Sequence, residues 1–321
     1  MSRQTNFKNI FIVLGVLVAL LILLKLKDKK QGDRSFKAYV VAVDTSKVNE
    51  MSIIPKGNQQ KLTIKKEGAI WMLDLNNTPV QANNEIIHSL LSQVSSLKTK
   101  SVAATSKEKW LVYEVSDSSG TRITLSDGKK ELADFIIGKF SYSQPQGQNP
   151  YMQQGQIQMT SYLRLYNEDE VYAVDGYLSM LYNREAISFR ENTIISGDPK
   201  DWQKLVFNYP ADSSFTLVNQ NGKWMIDGVL ADSVACAQHL STISRLSSSV
   251  FEDQALIEPV NSQHEISIRI EGETFKTIEV KAYRNNANEW VCISSQNKGN
   301  ILNINNLTET LFVNRNQFLT P

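Results

Sequence analysis

Gly68-Ala69-Ile70-Trp71-Met72-Leu73-Asp74 returns, one residue shorter, as Gly222-Lys223-Trp224-Met225-Ile226-Asp227, and what flanks these two stretches decides the fold. Each follows an alternating run (residues 61–64 and 215–218), the period of a half-buried strand. Each precedes a segment with helical spacing. Asn83 stands as a cap before Ile87, Leu90, Leu91, Val94 and Leu97, and Asp232 stands before Cys236, Leu240, Ile243 and Leu246. The offset between the two helices is a constant 149 positions, so the segments are read as two copies of one unit.

The parallel continues downstream. Residues 122–125, a turn at Asp127-Gly128 and residues 132–137 match residues 266–270, a turn at Glu271-Gly272 and residues 277–280. Both read as hairpins with one buried face. A further strand pair follows in each copy (162–165 with 171–174; 290–293 with 301–304), and each copy ends in an Asn-Arg pair, Asn183-Arg184 or Asn314-Arg315. The expected class is therefore α+β: two repeated units, 48–196 and 201–321, each a mostly antiparallel sheet with one packed helix. Gly197-Asp198-Pro199-Lys200 marks the expected junction. Trp71, Leu91 and Val94 in the first unit and Trp224, Leu240 and Ile243 in the second are the expected repeat core.

Ahead of both units, residues 10–24 read IFIVLGVLVALLILL, fifteen positions without a polar side chain. Helical rise over residues 7–26 covers roughly 30 Å, the hydrocarbon thickness of a bilayer. Ile10, Phe11, Ile12, Val13, Leu14, Leu17, Leu20, Leu21 and Leu24 are the expected membrane anchor, with the lipid bilayer as partner. A cleavable leader would need small residues after the run, yet Lys25-Leu26-Lys27-Asp28-Lys29-Lys30 follows. The division expected here is a short tail (1–9), an anchor (10–26) and a juxtamembrane tether (27–47). The lysine-rich flank leans towards a cytoplasmic body by the positive-inside rule. A short positive N-terminus before an apolar run is also what an export signal looks like, so charge leaves both orientations open.

Composition narrows the chemistry. Across 321 residues the formal charge is +1, with 21% charged and 41% hydrophobic side chains. Those are globular values, and they show no basic excess that would suggest nucleic acid. Cys236 and Cys292 fit no zinc or redox spacing and sit among apolar neighbours, so they read as small buried hydrophobes. A disulfide between them stays arithmetically open. His88, His239 and His264 are scattered, and the copies share no histidine position. Ile137-Gly138-Lys139 resembles a P-loop end, but Phe140 replaces the Ser or Thr and no glycine-rich loop precedes it. No catalytic, metal or cofactor set is expected. The first copy carries an insertion, 141–160, rich in Gln with two prolines, read as a loop. Tyr142, Tyr151 and Met152 within it are the candidate partner contacts.

With the apolar run, the repeated Trp segment, the helix run Ala82-Asn83-Asn84-Glu85-Ile86-Ile87-His88-Ser89-Leu90-Leu91 and the strand end Ile136-Ile137-Gly138-Lys139 in view, the chain resembles the bacterial membrane-anchored family known as domain of unknown function 4340. The resemblance implies proteins encoded beside ABC-2-type exporters, including those of gliding motility in Bacteroidetes-like bacteria, with an extracytoplasmic body on the inner membrane. It brings no catalytic residues. The expected function is a non-enzymatic accessory or binding module of the envelope, partnered by a transporter permease or auxiliary subunit. The alternatives are an envelope hydrolase with a carboxylate site between the repeats, and a structural spacer or assembly scaffold.

Overall fold

The structure, a computed structural model, describes residues 37–57, 60–143, 157–253 and 266–319. It is built mostly from antiparallel sheets with few helices. Among the described residues no helix is long and apolar enough to cross a membrane. The expected anchor, from Ile10 to Leu24, lies outside them, as do Tyr151, Met152 and His264.

The first sheet contains β1 (Tyr39–Ala42), β2 (Glu50–Ile54), β3 (Leu62–Glu67), β4 (Ile70–Leu75), β5 (Thr78–Gln81), β6 (Ser96–Ala104), β7 (Thr121–Ser126), β8 (Glu131–Ser143), β9 (Gln158–Leu165) and β10 (Val171–Asp175), with helix α1 (Asn84–Val94) packed on it. The second half holds β11 (Thr193–Ser196), β12 (Lys204–Asn208), β13 (Phe215–Gln220), β14 (Lys223–Ile226), β15 (Val229–Leu230), β16 (Arg245–Ser247), β17 (Ile266–Glu271), β18 (Ile278–Arg284), β19 (Trp290–Ser294) and β20 (Asn297–Asn303), with α2 (Ser233–Ile243). The order β10-β9-β8-β7-β2-β3-β4-β5 recurs strand for strand as β20-β19-β18-β17-β12-β13-β14-β15. In the first half β6 pairs with β10 and carries β1 beyond it. In the second, β16 pairs with β11 and the chain then bridges to β20 at Phe251 and Leu302.

Register matches as closely as order. Val41 faces Leu97 as Ile195 faces Leu246, and Tyr39 faces Lys98 as Thr193 faces Ser247, with the same irregularity after the first pair. Asp44 and Asp198 each cap the short 3-10 turn that follows by accepting a backbone N–H two residues on. The sequence places Tyr39–Ala42 in the tether and Thr193–Ser196 at the end of the first unit. In the structure both are the leading strands of their halves, and Asp198-Pro199-Lys200 is a turn inside the second half. Short edge strands with little alternation leave no period to read, which is why they escape a pattern search.

Two separate cores follow from this arrangement, one drawn from Val40 to Phe189 and the other from Ile194 to Phe318. The helix stripes read from sequence are the buried ones: Ile87, Leu90, Leu91 and Val94 on α1, and Cys236, Leu240 and Ile243 on α2. The Asn83 side chain accepts from Ile86 N at 3.0 Å, and Asp232 accepts from Val234 N and Ala235 N at 2.8 Å each. Trp71 is buried at 1% exposure, whereas Trp224 is half-buried at the rim of its core. The reason is local. β14 lies beside the two-residue edge β15, whose Val229 and Leu230 face solvent, while β4 lies beside β5, which the second half covers. The 141–160 stretch is also less of a loop than expected, because β8 runs to Ser143, β9 starts at Gln158, and Tyr142 pairs with Met159.

Candidate functional site

A feature absent from the sequence reading shapes the outer face of the first sheet. Between β6 and β7 the chain makes an excursion containing a 3-10 turn (Lys107–Lys109) and a short helix (Trp110–Tyr113), and it packs over β8 to β10. Val115, Ile136 and Val171 form a small second core beneath it, with Trp110, Tyr113, Tyr162 and Tyr166 around them. Arg164, 2% exposed, clamps the excursion from below: Nε donates to Val115 O at 3.0 Å, Nη1 to Tyr166 O at 2.7 Å and Nη2 to Asp117 at 2.7 Å. A buried guanidinium is tolerated here because its donors are met by carbonyls and a carboxylate.

Gly138 explains how the excursion fits so closely. A side chain there would overlap the Tyr113 carbonyl oxygen and the Val115 side chain, so glycine alone lets strand and excursion touch. The ladder between β8 and β9 shifts register between Ile137 and Phe140, a bulge at the Gly138-Lys139 pair. The matching positions of β18 are Tyr283 and Arg284, where pairing with β19 runs without a shift.

The bulge and the excursion open a cleft of about 450 Å³, lined by Lys56, Glu114, Ser119, Thr121, Gly138, Lys139, Met180 and Asn183 among others. Lys56 Nζ meets Glu114 Oε2 at 2.6 Å, and Lys56 N donates to Asn183 Oδ1 at 3.2 Å. Thr121 Oγ1 reaches the same amide oxygen at 3.4 Å. Lys139 Nζ lies 5.4 Å from the centre of the Tyr113 ring. These groups offer an ammonium, hydroxyls and an amide at a half-open mouth, a set suited to holding a polar or anionic segment by hydrogen bonds.

The other sequence candidates lie elsewhere. Tyr142, 73% exposed, follows the bulge by three residues and pairs with Met159. Cys236 and Cys292 are fully buried free thiols, and burial pushes them up to about 11 and about 12. His239 is buried against Phe207 and Phe318, and burial lowers it to about 4. Between the halves, among the described residues, lies a hydrogen-bonded joint. Asn300 donates to Gln81 O and accepts from Arg190 Nε, each at 2.8 Å, and Asn297 donates to Glu191 O at 2.8 Å. The nearby carboxylates are engaged: Asp253 by Arg190, Glu67 by Lys298, and Glu191 by the N–H groups of Asn192 and Thr193.

Sequence reasoning noted Gly138-Lys139 only as a failed P-loop and as part of a strand-end motif. The period places Arg164 inside the strand 162–165 without a role, and residues 105–120 carry no periodic pattern to read. The tight Trp-x-x-Tyr spacing of Trp110 and Tyr113 was the available signal, since two aromatics one helical turn apart need something to pack on. A family model described as "Domain of unknown function (DUF4340)" matches residues 71–264, which contain the first-half helix, the excursion, the bulge and α2. No curated protein and no solved structure matches.

Proposed function

The chain belongs to the DUF4340 family, and from that premise we propose that it is a membrane-anchored, non-enzymatic binding module of the bacterial envelope. Residues 10–26 form the single-pass anchor, the duplicated α+β body stands on the periplasmic side, and the cleft at Gly138-Lys139 receives a membrane-protein partner. Association with an ABC-type exporter, through its permease or auxiliary subunit, is the context that the family resemblance supplies.

The observation that carries the reading is that the two halves agree in order and register, yet among the described residues the bulge beside the cleft occurs in β8 and not at the matching positions of β18. A duplicated scaffold that departs from its own pattern at one glycine bulge has a specialised surface there. The lining supports binding, because Lys56, Glu114, Thr121 and Asn183 already hold one another in defined positions. Preorganised polar groups lower the ordering cost of capturing a partner.

The test is a photocrosslinking residue placed at Met180, on the exposed rim of the cleft, in the full chain, in native membranes, followed by gentle solubilisation and identification of the adduct. The reading expects a transporter component, lost in Lys139→Glu. Recovery of the chain with no transporter component, by crosslinking or by co-purification, would sink it.

A further inference from the structure

We propose that the Lys107–Tyr113 excursion is a lipid-docking element, which sets Leu111 and Val112 into the headgroup–acyl boundary of the membrane that carries the chain. This rests on the anchored reading above and adds which face of the body meets the bilayer.

Leu111 is 73% exposed and Val112 52%, two adjacent aliphatic side chains at the tip of a short helix. A single exposed Leu needs no explanation. These two are different because the protein fixes them outward. The neighbouring Trp110 donates its indole N–H to Asp169 O at 2.9 Å and lies against the Arg164 guanidinium, 3.7 Å from the ring centre. Tyr113 donates its hydroxyl to Ala103 O at 3.1 Å, and Gly138 lets the strand below come into direct contact. A rigid mount that turns its aromatic residues inward and its aliphatic residues out is built to present them.

The position of the chain's entry names the occupant. Lys37, the first described residue, pairs its ammonium with Glu168, and the next residue, Asp169, holds Trp110 and Lys107. Chain entry and excursion therefore share one end of the sheet. Residues 27–36 separate Lys37 from the apolar run, a reach of at most about 36 Å even when fully extended. With the run in a bilayer, Lys37 lies within that distance of its surface, and the excursion stands at the same end of the sheet. Lys107 and Lys109, both exposed, precede the aliphatic pair with Glu108 between them, and the two ammonium groups suit the anionic headgroup layer.

The experiment uses the full chain in proteoliposomes, with one introduced cysteine at a time carrying an environment-sensitive fluorophore. The native thiols are buried and stay unlabelled. Leu111→Cys is the reporter, Tyr142→Cys is an equally exposed control, and Leu17→Cys reports the anchor. Nitroxide-bearing lipids are the quencher. The expected result is blue-shifted, lipid-quenched emission at Leu111 and Leu17 with neither effect at Tyr142. Quenching at Leu17 alone overturns docking and leaves the anchor standing. Quenching at neither overturns both. A blue shift at Leu111 without lipid quenching also overturns the inference, because a second protein copy is then what covers the site.

Discussion

His239 shows how one side chain can set the acid stability of a half. It replaces Leu90 of the first half, sits 4% exposed between Phe207 and Phe318, and its Nε2 has no hydrogen-bond partner among the described residues. Burial lowers its pKa from 6.5 to about 4, so the unfolded chain binds a proton more readily than the folded one. Stability is full above pH 6.5 and is lost as pH falls towards 4. By linkage the loss reaches up to about 2 kcal/mol at pH 5. His239→Leu, the first half's own solution, is expected to flatten that dependence while keeping stability at pH 7, as read by denaturant unfolding at both pH values. Gly138 makes the complementary case for size. Gly138→Ala is expected to cost about 1–3 kcal/mol, since the added methyl group overlaps the Tyr113 carbonyl. A thermal melt unchanged from the parent would contradict the close packing on which the cleft depends.

At the scale of elements, the two long helices are capped by different residues doing one job. Asn83→Ala and Asp232→Ala are each expected to cost about 1 kcal/mol, because each removes an acceptor from the first-turn N–H groups. Denaturation of the two variants checks whether the halves are equivalent at this level. Much of this layer was legible in the sequence. The helix stripes, the caps and the central hairpins follow from periods of 3.6 and 2 in Ile87–Val94, in Cys236–Ile243 and in Ile266, Ile268 and Ile270. The strands β1, β11 and β15 were not, because two to four residues at an edge carry no period. The excursion from Ser106 to Gly120 was not either. Its order comes from Arg164, about fifty positions away in sequence, and contacts of that kind leave no local pattern. For the same reason the cleft was hidden: Lys56, Glu114, Lys139 and Asn183 meet only through the pairing order of the sheet.

The whole molecule is two alike halves locked by a buried polar seam. Gln81, Arg190, Asn297 and Asn300 are all under 10% exposed there, and Gly299 lets β20 approach Pro79 of β5. Asn300→Ala leaves Arg190 Nε and Asn297 Oδ1 without their partner, and buried groups stripped of a partner cost about 1–3 kcal/mol each. The variant is expected to lower the denaturation midpoint and to separate the unfolding of the halves, whose cores are distinct. A single unshifted transition would mean that the seam contributes nothing to coupling. The seam also sets where the chain's entry, the excursion and the cleft stand relative to the second half, so the proposed binding surface is held by both halves. That surface has its proposed role only if the body is carried on the periplasmic side of the membrane. The measurement that tests this most directly is a topology assay, with reporters active only in the periplasm or only in the cytoplasm fused after Pro321. Periplasmic activity, retained in the membrane fraction through an alkaline wash, is the predicted result. Cytoplasmic activity, or release by the wash, would contradict the account.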